Sequence, residues 1–176
     1  MSPGLKMMTN VESPASHFGF LSIVDLGSEV LIGGYLIVNA WGRPVEFHCT
    51  EPVKPNRAQQ ILYGATLRPF VCSEQIGPAL VDNASIRPCV LCTDLAEMLF
   101  VRHSVDVPVV CLTDRKLEIA ETTECTIAGH SAYVSDQHES DRSLVECEID
   151  RISGAWEITE PFERIKAAVT EIQKAA

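Results

Sequence analysis

Three polar clusters follow apolar runs in this chain: His48-Cys49-Thr50-Glu51, Thr93-Asp94 and Thr113-Asp114. Histidine and carboxylates are the side chains that move protons near neutral pH. Glu51, Asp94 and Asp114 also offer the hard oxygens that Mg²⁺ takes, so a shared rim would suit metal-dependent hydrolysis or phosphotransfer, with His48 and Glu51 as acid or base. Lys54, Asn56 and Arg57 come directly after the first cluster, at an expected helix start, where an anion is favoured. A plainer reading stands beside each. Thr-Asp after a strand also caps a helix, His48 also suits a satisfied strand end, and Lys54 and Arg57 also suit a solvated face.

The cysteines invite two further readings. Pro88-Cys89-Val90-Leu91-Cys92 matches half of the zinc deaminase signature, and His48-Cys49-Thr50-Glu51 approaches the other half. The second match departs from the pattern: two residues separate His from Glu where the signature has one. Cys89 and Cys92 also fall in an apolar run that reads as a strand, where positions i and i+3 face opposite ways. A zinc deaminase-like enzyme using His48, Cys89 and Cys92 is therefore a secondary alternative. Cys49 as a nucleophile fails the same test, because its neighbour His48 points away from it on a strand. Cys125, His130, His138 and Cys147 have no zinc spacing, and the glycines form no phosphate loop. No cofactor is assigned.

The elements that must position these residues alternate in type. Apolar runs over 18–24 and 30–39, then Pro44–Cys49, read as an antiparallel hairpin or meander. Gly33-Gly34 marks a bulge or a close backbone approach, and Gly42 a turn. Asn56 with Gln59 has capping-box spacing and starts a helix carrying Ile61 and Leu62. A second helix spans 70–82, interrupted by Gly77-Pro78. The runs 88–92 and 107–112 suit strands buried on both faces. Asp94 with Glu97 repeats the capping-box spacing before Leu95, Met98, Leu99 and Phe100. Val145, Cys147 and Ile149 fit a strand or a helix. Thr159-Glu160-Pro161 opens a final helix with Ile165, Ala168, Val169 and Ile172 on one face.

Strand, helix, strand, helix, strand from residue 44 to 112 implies parallel crossovers, so three strand exits share one sheet edge. The expected fold is α/β: a mixed sheet with an antiparallel N-terminal hairpin, a parallel βαβαβ core and a closing C-terminal helix. Residues 1–16 read as a flexible tail and 17–176 as one domain. Ligands of open α/β sheets bind beyond the carboxyl ends of strands. His48, Glu51, Thr93, Asp94, Thr113 and Asp114 thus form the expected site, with Lys54, Asn56 and Arg57 as anion contacts.

Composition narrows the partners. The 176 residues are 46% apolar and 22% charged, so the chain can build a core. Net charge is −10, and −8 of it lies in residues 113–164, which hold 13 acidic and 5 basic side chains. That balance points away from nucleic acid and anionic membranes. Residues 43–68 reverse it, with four basic and two acidic side chains. The expectation is a binding or regulatory module for a small anionic ligand or a partner segment, with the metal-dependent hydrolase or phosphotransfer enzyme as alternative. The acidic C-terminal part could instead dock a basic protein. Seven cysteines, an odd number in apolar surroundings, suit a cytoplasmic setting. Finally, Arg43-Pro-Val-Glu-Phe-His-Cys-Thr-Glu-Pro-Val-Lys-Pro-Asn-Arg-Ala-Gln-Gln-Ile-Leu-Tyr-Gly, with Thr66-Leu-Arg-Pro-Phe, resembles a planctomycete-type bacterial protein family of unknown function. That resemblance implies a bacterial cytosolic protein and nothing catalytic.

Overall fold

A seven-stranded mixed sheet with helices on both faces organises the chain; the computed structural model describes residues 16–117, 119–152 and 154–176. The tail expected over 1–16 lies, but for its last residue, outside the described residues. Strands β1 (His17–Asp25), β2 (Leu31–Asn39) and β3 (Pro44–Cys49) form the expected antiparallel meander. Strands β4 (Val90–Thr93) and β5 (Val109–Leu112) add in parallel to β1. A hairpin of β6 (Thr122–Ile127) and β7 (His130–Ser135) closes the far edge, giving the order β3-β2-β1-β4-β5-β7-β6. The parallel core therefore consists of β1, β4 and β5, and β3 lies two strands away from β4's neighbour, with β2 between.

The sheet is sandwiched, so β1 and β2 are buried on both faces and read as continuous apolar runs. Phe18, Phe20, Ile32, Leu36, Val110 and Val134 pack under α4 (Asp141–Asp150) and α5 (Glu160–Ala175). Leu21, Ile23, Tyr35, Ile37 and Val109 pack on the other face. Their cover is α1 (Arg57–Tyr63), α2 (Leu67–Phe70), a π turn at Val71–Ile76, α3 (Gly77–Asn83) and a 3₁₀ stretch at Ala96–His103.

Gly33 and Gly34 are a close approach, with regular pairing to β1 on both sides. A methyl on Gly33 would strike Ile76 and come within 2.9 Å of Leu80; one on Gly34 would strike Ile165 and come within 3.2 Å of Val169. The pair lets helices press on β2 from both faces. Asn56 and Gln59 make the full capping box of α1. The Asp94–Glu97 box does not form. Leu95 precedes the 3₁₀ stretch, and it is Thr93 Oγ1 that accepts its N–H. Residues 145–149 are helical.

Candidate functional site

Parallel pairing decides which exits meet. Phe20 pairs with Cys92 and Leu21 with Thr93, so the next row sets Ser22 beside Asp94; Ser22 also pairs with Gly34. Ser22 is fully buried and its hydroxyl donates to Asp94 Oδ1 at 2.8 Å. The other carboxylate oxygen takes Lys166 Nζ at 2.9 Å, and that ammonium also lies 3.4 Å from Glu163 Oε1. Lys166 comes from α5, which Ile165 and Val169 press against Gly34. Burial lowers the lysine's proton affinity, but the carboxylates outweigh it and hold its pKa above the ordinary value. It is a cation throughout the physiological range.

A cleft of about 350 Å³ opens here at the carboxyl ends of β4 and β5, lined by Asp94, Thr113, Asp114, His130, Glu163 and Lys166 among others. His130, on β7, pairs with one carboxylate and stands near a second. Its Nε2 lies 2.8 Å from Glu157 Oε1 and its Nδ1 3.9 Å from Asp114 Oδ1. Glu157 is held below the usual carboxylate range by the backbone N–H and hydroxyl of Thr159, with His130 adding to them. An imidazole so placed can take or give a proton, and the lysine supplies a fixed positive charge.

Of the residues expected from sequence, Asp94, Thr113 and Asp114 share this cleft. Thr93, buried, turns to the backbone of Leu95 instead. His48 points to the opposite face, because Phe47 and Cys49 take the α5 side. It pairs with Glu46 at 2.6 Å, and Glu46 in turn accepts the backbone N–H groups of Ser85 and Ile86. Glu51 is exposed beyond β3, and three interstrand steps of about 4.8 Å put its backbone roughly 14 Å from that of Asp94. Asn56 is spent on its cap. Lys54 and Arg57 are exposed on the β3 side of the rim, Arg57 donating to Gln60. Ser22, Glu163 and Lys166 escaped sequence reasoning, and His130 entered it only in company with the cysteines. One signal was present: Phe162, Ile165, Lys166 and Val169 have the i, i+3, i+4, i+7 spacing of a buried stripe, and a lysine there needs a partner.

These residues do not fit a divalent cation. Among the described residues no three His, Cys, Asp or Glu side chains converge, and both oxygens of Asp94 are already engaged. The alternative that used Glu51, Asp94 and Asp114 on one metal is therefore corrected: Glu51 is too far across the sheet. The deaminase alternative fails too. Cys92 is fully buried under α4 and α5, whereas His48 lies on the other face. All seven cysteines are free thiols. Burial pushes Cys89 up to about 12 and Cys111 up to about 12, which makes them inert at neutral pH.

No family model matches this chain, and no curated protein matches it in sequence. Solved structures resemble it in fold. One is endonuclease V of Ciona intestinalis, in complex with a 23mer DNA containing an inosine followed by a ribo-adenosine. It superposes with a TM-score of 0.55 at 12% identity, over 92% of this chain and 87% of that one. The catalytic domain of human endonuclease V superposes with a TM-score of 0.50 at 12% identity, over 93% of this chain and 85% of that one. The fold is that of endonuclease V.

Two expectations are corrected by this likeness. A binding or regulatory module for a small anionic ligand gives way, because the architecture is one that a nuclease domain uses. The expectation of no nucleic-acid partner gives way as well, since the endonuclease V of Ciona was solved on DNA. No helix among the described residues is long and apolar enough to cross a membrane.

Proposed function

We propose that this chain binds and processes nucleic acid, taking a phosphodiester of one strand into the cleft beside Asp94 and His130. The observation that carries the reading is a coincidence of place. The endonuclease V architecture covers nine-tenths of the chain, and the cleft that gathers Asp94, Lys166, His130 and Asp114 opens at the carboxyl ends of its parallel strands. Cations flank the cleft along the same rim. Arg115 and Lys116 follow β5, and Lys54 and Arg57 follow β3; all four are exposed. A single strand laid across the ends of β3, β2, β1, β4 and β5 would meet them in turn. His130, hydrogen-bonded to Glu157, is the group placed to move a proton. A bacterial cytosol, where all seven thiols stay reduced, is the proposed setting.

Fluorescence anisotropy with a labelled single-stranded oligonucleotide containing one inosine tests binding, and a denaturing gel of the same mixture tests cleavage. Affinity should fall steeply with salt. The double variant Lys54→Gln/Arg57→Gln should flatten the log–log slope by about 1.4, the share of two phosphate contacts on a single strand. Absence of strand binding by the wild type at low ionic strength would overturn the reading.

A further inference from the structure

We propose that Lys166 takes the place of a divalent cation in this cleft, so that the chain engages its strand without Mg²⁺ or Mn²⁺. The part of this that concerns the strand rests on the nucleic-acid reading above; the part that concerns the metal does not.

The geometry is that of a charge shared between carboxylates. Lys166 Nζ lies 2.9 Å from Asp94 Oδ2 and 3.4 Å from Glu163 Oε1, while Ser22 donates to Asp94 Oδ1. A magnesium ion needs six oxygens at about 2.0–2.1 Å in octahedral array, and it binds by displacing whatever neutralises its ligands. Here the neutralising group is tethered. Lys166 stands on α5, whose Ile165 and Val169 are buried against Gly34, so its ammonium is present at a local concentration fixed by the fold. A dissolved ion must break two ion pairs and leave the lysine without a partner. On β1, the row between Asp94 and Gly34 is taken by Ser22, a neutral donor, and among the described residues no third carboxylate converges with Asp94 and Glu163 to tip the balance toward a double charge.

The native chain and a chain lacking the ammonium should respond oppositely to a divalent ion. Manganese titration followed by electron paramagnetic resonance reads free Mn²⁺ directly. Wild type should leave the free-ion signal unchanged. Lys166→Met, which keeps the apolar stem packed, should deplete the signal by one ion per chain, and Lys166→Met/Asp94→Asn should restore it. Circular dichroism melts confirm folding of each variant, and Lys166→Gln serves as the second probe. Mn²⁺ uptake by the wild type that disappears in Asp94→Asn would overturn the proposal. So would the failure of folded Lys166→Met and Lys166→Gln to take up the ion. In parallel, oligonucleotide anisotropy of the wild type in EDTA and in Mg²⁺ should give the same affinity, and a requirement for Mg²⁺ would overturn the proposal. Should no oligonucleotide bind in either buffer, the nucleic-acid reading fails and the manganese titration alone decides the role of Lys166.

Discussion

Replacing Gly34 by alanine tests how the cleft is held together. The added methyl would overlap Ile165 Cγ2 and come within 3.2 Å of Val169 Cγ2, whereas relaxed carbon–carbon contacts lie at about 3.5–4.0 Å. Both contacts are on α5, so the helix must lift by roughly 1 Å or its side chains must leave their rotamers. Overpacking of this kind costs about 1–3 kcal/mol. Alanine recovers about 0.4–1 kcal/mol through the unfolded chain, so the net loss falls between about 0 and 2.5 kcal/mol, centred near 1 kcal/mol. For a chain of this length that is a fall in Tm of about 2–4 °C at the centre of the range and up to about 10 °C at its limit. Thermal and urea denaturation would measure it. The mechanism also demands coupling: Ile165→Ala alone opens a cavity, but in the Gly34→Ala background the same truncation makes room. The double variant should therefore be less destabilised than the two single effects added together. Strict additivity would refute the claim that this glycine sets the seat of α5.

Two further outcomes follow from ion pairs outside the cleft. Asp141 is 1% exposed and holds Arg102 at 2.8 Å and the backbone N–H of Val109, so Asp141→Ala strands a guanidinium and should cost about 3–5 kcal/mol in urea melts. Glu46 is held below the usual carboxylate range by the N–H of Ser85 first, then by His48 and the N–H of Ile86. Its stabilisation is thus present above the unfolded-state pKa of about 4.3 and lost as pH falls through the lower folded value, so wild type and Glu46→Gln should converge in stability on the acid side.

The elements that sequence makes legible are those whose signals are local. The Asn56–Gln59 box needs only three residues of spacing, and the final helix only its own stripe of Ile165, Val169 and a proline at the start. The doubled glycine of β2 announced a bulge or a close approach, and the helices on either side make it the latter. What stayed hidden depends on pairing between distant segments. His48 and Asp94 both end up at strand exits on one edge, yet a side chain's face is set by its parity in the sheet, and His48 falls one residue out of step with Phe47 and Cys49. The cap reading of Asp94 failed for a related reason. Its partners Ser22 and Lys166 each lie 72 residues away, and a capping motif can be judged only against partners that the local sequence shows. The strands β6 and β7 were missed because β6 is a sheet edge with only Cys125 and Ile127 as buried apolar side chains, too short an alternation to mark a strand by itself.

The fold and the chemistry of the cleft are one problem at β2. Asp94 is mostly buried, and a carboxylate in that position is stable as an anion only if its charge is met. Ser22 meets one oxygen from within the sheet, but a neutral donor does not balance a charge. Lys166 must supply that balance, and it can reach only because α5 lies close enough for Ile165 to touch the backbone of β2. A side chain at position 34 would push the helix away and lengthen the 2.9 Å pair, raising the cost of the anion just where the cleft needs it. The absence of a Cβ at Gly34 is thus a condition on the electrostatics of Asp94, more than a hundred residues from the lysine it positions.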